Sequence, residues 1–234
     1  MQTIDTRAFK VIDISKTVHP PTQQMGPDEI HTRVGQETLI WPIEQYNSAV
    51  DTSVYQIVKL KTHLGTHVEA PFHMYPKDGK TLSDFPADTW LGRMVNLKFD
   101  LGPNTIITLD VMKKVDNGRL KGNDIVLIHS TAKLEGDNPY NHSAPAVSRE
   151  ATEYLLMKRI KMFAFPSSIS FLPAPDNAHD ILLRNGIPIL EWVTNLDKLT
   201  QDVAFLVAIP AFGKVIGIDS SPVQVVVIEG ADFD

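Results

Sequence analysis

The sequence Thr62-His63-Leu64-Gly65-Thr66-His67-Val68-Glu69-Ala70-Pro71-Phe72-His73 holds three of the chain's eight histidines and one carboxylate. His63, His67, Glu69 and His73 are all odd-numbered, so in an extended segment their side chains share one face. The glycine, the β-branched residues and the proline within this stretch disfavour a helix. We therefore predict an extended segment that presents three imidazoles and one carboxylate together.

Imidazole nitrogens and carboxylate oxygens are the ligands of zinc and of several other divalent metals. The chain has no cysteine, so any metal site must be built from histidine and carboxylate side chains. The alternative is a surface cluster of histidine and glutamate without a metal. Three histidines this close together, with a glutamate between them, favour the metal site.

Composition limits the partners and the organisation of the chain. With 234 residues, of which 43% are hydrophobic, it can bury one sizeable core, and we expect a single domain over residues 1–234. The net charge of -6 gives no basic footprint for nucleic acid or for a membrane surface. No apolar signal region opens the chain and no apolar run is long enough for a membrane span. These features predict a soluble, cytoplasmic protein that binds neither nucleic acid nor a membrane.

Periodicity and turn residues predict an α/β chain with a mixed sheet, because strands outnumber helices and two strand–helix–strand units lie in the second half. Helices are expected over residues 108–115, capped by Thr108 or Asp110, over 148–159, capped by Ser148, and from 176 to 185, capped by Asp176. One helical turn is expected over 196–199. The predicted strands are 11–15, 38–46, 54–60, 93–99, 124–129, 161–165, 187–193, 203–209 and 223–228.

Two polar residues in the second half stand out against their surroundings. His179 lies in the first turn of the third predicted helix, one position off its apolar stripe. Glu191 lies in the middle of an apolar strand, where a carboxylate is costly to bury unless it is paired, protonated or bound to metal. The residues alone leave open a solvated helix end for His179 and a solvated edge strand for Glu191.

The pattern His63-x-Gly65-Thr66-His67-x-Glu69-x-Pro71-x-His73 resembles the signature of the metal-dependent cyclase family, which includes kynurenine formamidase-like and isatin hydrolase-like hydrolases. The family signature has aspartate where this chain has Glu69. A second family block, a histidine twelve residues before a Glu-x-x-x-Asn-Leu run, is similar to His179 and residues 191–196. The similarity extends over residues 11–229.

The resemblance implies a curved, barrel-like mixed β-sheet with flanking helices, in a homodimer or homotetramer. It implies one metal at His63, His67 and Glu69, and a second metal that shares Glu69 and binds His179 and Glu191. His73 is implied as the catalytic acid/base. Zn²⁺ is the expected ion and Mn²⁺ the alternative. Because glutamate is longer than aspartate, a site that holds one metal instead of two is an alternative.

The activity implied is that of a metal-dependent hydrolase. A metal-activated water would attack the carbonyl of a small amide, a formamide (as in an arylformamidase) or a lactone or lactam. The alternatives are a dehydratase or cyclase on the same site and a metal-binding protein without catalysis. His73 exceeds the number of ligands that a purely structural metal site needs, and its presence therefore favours an enzyme. Residues 129–133 and 164–168 depart from the family pattern, so the sequence does not identify the substrate.

Overall fold

The structure is a computed structural model that describes residues 9–18, 60–131 and 143–230, and the backbone of 44–46 and 55–57. Most of the predicted strand at 38–46 lies outside the described residues. Within them the helices are α1 (Leu109–Asp116), α2 (Arg149–Met157) and α3 (Ala178–Arg184). The strands are β1 (Lys10–Asp13), β2 (Glu44–Tyr46), β3 (Tyr55–Ile57), β4 (His67–Glu69), β5 (Leu91–Phe99), β6 (Ile106–Ile107), β7 (Ile125–Ser130), β8 (Ala146–Val147), β9 (Met162–Phe165), β10 (Ser170–Phe171), β11 (Ile189–Glu191), β12 (Val203–Val207), β13 (Ser220–Pro222) and β14 (Val226–Glu229).

Nine strands form one mixed sheet in the order β1-β14-β12-β5-β7-β9-β11-β4-β13. The central strands β5, β7, β9 and β11 are parallel, and the flanking pairs are antiparallel. The sheet curls into a half-barrel, and the segment after β1 approaches the other edge, where the Lys16 amide donates to Thr66 Oγ1 over 2.7 Å. The predicted mixed α/β fold with a curved sheet and flanking helices is confirmed.

Alternation along the strands divides the core between the two faces of the sheet. In β7, Ile125 and Leu127 pack into one hydrophobic cluster, whereas Val126 and Ile128 pack into another. All three helices contribute apolar side chains to the second cluster, so we call that side of the sheet the helix face. The other side is called the opposite face.

Two of the predicted helix caps are confirmed and one is wrong. Thr108 accepts a hydrogen bond from the Val111 amide at the start of α1, and Ser148 caps α2 in the same way. At α3 the cap is Asn177 instead of Asp176, because the Asp176 carboxylate is engaged 2.7 Å from Arg149 Nε.

The prediction of one extended segment through residues 62–73 is wrong at both ends. Only His67–Glu69 forms a strand, β4. Before it, Gly65 has a φ of +59°, a left-handed conformation that turns the chain. After it, Pro71 opens a short 3-10 helix that ends at His73. Ser220–Pro222, for which the sequence analysis predicts no strand, pairs with β4 as strand β13.

Within the part of the chain that the structure describes, no helix combines the length and the apolar character needed to cross a bilayer.

Candidate metal centre

The centre is built on β4, which directs His67 and Glu69 to the helix face of the sheet. Both are almost fully buried, with 1% and 3% of their surfaces exposed. In the antiparallel pairing with β11, Glu191 lies opposite His67, so its carboxylate points to the same side. Strand pairing therefore brings one histidine and two carboxylates together on a rigid base.

α3 places His179 above this base. Its Nε2 lies 2.8 Å from Glu69 Oε2 and 3.2 Å from Glu191 Oε1. The Asn177 cap fixes the first helical turn that carries this histidine. The ring of Phe171 packs edge-on against the imidazole, with 5.6 Å between centroids. The alternative of a solvated helix end for His179 is therefore excluded.

His63 reaches the centre from the segment before β4. Its Nδ1 lies 2.6 Å from Glu69 Oε1, so the two oxygens of Glu69 contact His63 and His179. Glu69 is therefore the carboxylate that connects His63, which precedes β4, with His179 on α3.

His73 stands at the rim of the centre, at the end of the 3-10 helix, and is exposed. One ring nitrogen lies within 4.8 Å of a carboxylate oxygen of Glu69 and of a ring nitrogen of His179. The structure thus brings together all six residues that the sequence singled out, although they do not share one extended segment.

Among the residues that the structure describes, Asp219 is a polar residue at this site that sequence reasoning missed. Its Oδ2 lies 2.8 Å from His63 Nε2 and 3.1 Å from His73 Nδ1. A carboxylate immediately before a strand that pairs with β4 is the signal that could have identified it.

The carboxylates change the pKa values of the neighbouring histidines. Burial lowers the pKa of His63, but hydrogen bonds to Asp219 and Glu69 outweigh it and raise that pKa to about 9. For His179, bonds to Glu191 and Glu69 outweigh burial and raise the pKa to about 10. Burial raises the pKa of Glu69, yet its bonds from His179 and His63 hold it well below the usual range. The His63 bond likewise lowers the pKa of Asp219.

The donor set fits a divalent cation. The Nδ1 of His67 lies 2.8 Å from the Gly65 carbonyl oxygen, so a neutral ring donates there and directs its Nε2 lone pair into the cluster. That Nε2 lies 3.2 Å from Glu69 Oε1 and 3.7 Å from Glu191 Oε2. Electron-rich atoms thus converge in a buried place, and a cation there would replace the protons now held by His63 and His179.

Comparison with known proteins identifies the family of this chain. The Cyclase family model matches residues 12–165. The chain belongs to the cyclase family. It is 27% identical over 229 residues to an isatin hydrolase from Roseibium aggregatum, covering 86% of this chain and 85% of the relative. It is 26% identical to a kynurenine formamidase from Salinibacter ruber, covering 95% of this chain and 99% of the relative.

Solved structures share the fold of this cyclase-family chain. An isatin hydrolase bound to the product analogue thioisatinate superposes with a TM-score of 0.73 at 23% identity, over 96% of this chain and 94% of that one. A predicted metal-dependent hydrolase from Bacillus stearothermophilus gives a TM-score of 0.65 at 20% identity, over 94% and 98%. The predicted family and the predicted class of enzyme, a metal-dependent hydrolase, are confirmed.

Proposed function

We propose that this chain hydrolyses the C–N bond of a small amide, formamide or lactam, at a divalent metal centre. The observation that carries the proposal is the convergence of nitrogen and oxygen donors around Glu69, with an exposed histidine at the rim. The residues proposed to hold the metal are His63, His67, Glu69, His179 and Glu191. The names of the curated relatives suggest aryl formamides and isatin-like lactams as substrates.

The ligand residues act by holding charge in a fixed geometry. When bound, a divalent cation supplies Lewis-acid polarisation of a carbonyl and acidifies water. Glu69 and Glu191 supply negative charge, which balances the cation in a buried site. His67 is locked in one tautomer by the Gly65 carbonyl, so its Nε2 stays available as a ligand.

His73 is the proposed acid/base. Its Nδ1 donates to Asp219, which leaves Nε2 to accept a proton from the attacking water and return it to the leaving nitrogen. Its exposed position at the rim lets it reach both a substrate and solvent. This role explains why the signature contains His73 in addition to the two proposed ligands His63 and His67.

Zinc is the proposed ion and manganese the alternative, since the donor set of histidine and carboxylate suits both. One or two ions per chain agree with the shared position of Glu69. We further propose a cytoplasmic homodimer or homotetramer that acts on a small molecule and binds neither nucleic acid nor membrane. Sedimentation of the purified full chain tests the oligomeric state.

The test combines metal analysis with hydrolysis of N-formylkynurenine and of isatin. We expect zinc or manganese in the purified protein, and turnover that His73→Gln reduces about 100-fold or more without loss of metal. His129→Gln is the matched control, because His129 continues the alternation of Ile125 and Leu127 and so lies on the opposite face. This control must keep its metal.

Other outcomes distinguish the alternatives. Metal without hydrolysis of either substrate, but with loss of water from a hydroxylated substrate, would indicate a dehydratase. Metal without any turnover would indicate a metal-binding protein. A protein that takes up neither zinc nor manganese would contradict the proposal.

A further inference from the structure

Asp219 is held firmly by the fold although it belongs to no regular element. Its backbone carbonyl accepts a hydrogen bond from the Ala70 amide over 2.8 Å, directly after β4. The next residue, Ser220, pairs with Glu69 in the register of β13 and β4. The carboxylate is therefore fixed relative to the strand on which the centre is built.

One oxygen of this carboxylate contacts two histidines that lie ten positions apart in the sequence. Oδ2 accepts from His63 Nε2 over 2.8 Å and from His73 Nδ1 over 3.1 Å. Their ring centroids are 4.5 Å apart. Neither histidine lies in a strand, so the pairing of β4 does not fix the distance between them.

We propose that Asp219 is the positioning residue of this site, which holds the acid/base His73 in one tautomer and at a fixed distance from His63. This inference rests on the proposed function. A neutral His73 that donates from Nδ1 to Asp219 must carry its lone pair on Nε2, the atom needed to accept a proton. Without the carboxylate, either nitrogen of His73 could carry the hydrogen.

The same carboxylate also completes a possible ligand group with His63 and His73, because all three offer atoms within 4.8 Å of one another. The orientation of His63 favours positioning over ligation. Its Nδ1 faces Glu69 in the cluster, so Nε2 is the outward nitrogen. In metal sites the outward nitrogen of a histidine is the one that a further carboxylate binds.

The first test uses the zinc-loaded full chain labelled with ¹⁵N in histidine. We expect the neutral His73 ring to carry its hydrogen on Nδ1, with Nε2 unprotonated, and His73→Gln identifies the signal. A His73 ring protonated on Nε2 alone would overturn the proposal. This measurement needs neither substrate nor a change at Asp219, so it stands even if the protein hydrolyses none of the substrates tried.

The second test uses Asp219→Asn, with Asp219→Glu as the variant that restores the charge. We expect Asp219→Asn to lower kcat about 10- to 100-fold, to change KM less than about threefold and to mix the His73 tautomers, with the zinc content unchanged. Asp219→Glu should recover part of kcat. Asp202→Asn, an exposed carboxylate paired with Arg119, is the control and should match the wild type.

Two results of the second test would overturn the proposal. Loss of one zinc equivalent in Asp219→Asn would make Asp219 a ligand. An unchanged kcat together with an unchanged His73 tautomer in Asp219→Asn would mean that Asp219 does not position His73. Failure of the whole proposed function would look different, since the wild type itself would then lack turnover while the ¹⁵N signals still report on Asp219.

Discussion

Glu69 carries one methylene more than the aspartate of the family signature, and both of its oxygens contact histidines. Its Oε1 lies 2.6 Å from His63 Nδ1 and its Oε2 lies 2.8 Å from His179 Nε2. An aspartate at the same backbone position would end about 1.5 Å shorter. Glu69 therefore contacts His63 through one oxygen and His179 through the other.

The metal-free site should release protons when it binds metal. With pKa values raised to about 9 and about 10, His63 and His179 are protonated at pH 7.5, whereas a ligand histidine must be neutral. We expect about two protons to leave per chain if both bind metal. The apparent affinity should rise with pH, more gradually above about 9, and become independent of pH above about 10.

Calorimetric titration with zinc in two buffers of different protonation enthalpy measures this release. His179→Gln should release about one proton fewer, and His129→Gln should behave as the wild type. A binding heat that is the same in both buffers would contradict the prediction.

The residue types at the site could be predicted from the sequence, but their arrangement could not. Alternation correctly placed His67 and Glu69 on one face, because that argument needs only a strand of three residues. It failed for His63 and His73, because Gly65 and Pro71 turn the chain at either end of β4. The turn at Gly65 and the 3-10 helix still bring both histidines close to Glu69. The alternation of side chains along one strand cannot predict such an arrangement.

At the scale of the elements, the side chain of Glu229, at the end of β14, forms hydrogen bonds with the segment before β12. Its Oε1 accepts from the amides of Thr200 and Gln201 over 2.7 and 3.0 Å, and Oε2 lies 3.4 Å from Lys10 Nζ. Burial raises the pKa of this carboxyl, but the Thr200 hydroxyl, which donates to Oε2 over 2.7 Å, and the two amides outweigh burial and bring that pKa below its usual value. The ionised form therefore stabilises the fold above about pH 4.5, and this contribution is lost as pH falls through the folded-state pKa.

Glu229→Gln should lower the free energy of unfolding by about 2 kcal/mol at pH 7, because the amide gives up charge-assisted bonds in a site that is 2% exposed. The deficit should shrink when the pH is lowered below 4.5, as the wild-type carboxyl gains its proton. Urea unfolding at pH 7 and at pH 3.5 measures it. Glu153→Gln, on an exposed part of α2, is the control, and an equal deficit at both pH values would contradict the argument.

Elements with strong local signals were predictable, and those that depend on pairing were not. α1 and α2 begin where Thr108 and Ser148 predict, since a cap acts within one helical turn. By contrast, β13 and the small sheet β10-β8-β6 were missed. Their strands have two or three residues, too short for a periodic pattern, and exist because distant segments pair with them.

At the scale of the whole molecule, the centre gathers residues between positions 63 and 219 from both halves of the chain. Periodicity within one segment carries no information on such distances. The second block, His179 and Glu191, was connected to the first by its family resemblance alone. The curled sheet provides the physical connection, because it places β11 between β9 and β4.

A ligand that joins such distant segments should stabilise the whole fold, since the unfolded chain does not hold the donors in place. At a free metal concentration 100 times the dissociation constant, the gain is about 2.7 kcal/mol. For a chain of this length, that gain corresponds to a rise in Tm of about 5–10 °C. Thermal unfolding of the protein with excess chelator and with added zinc or manganese measures the difference. His63→Gln should reduce the rise, because it removes one donor, whereas His129→Gln should leave it intact. Equal Tm values with metal and with chelator would mean that these donors do not act together on one cation, however close they lie in the fold.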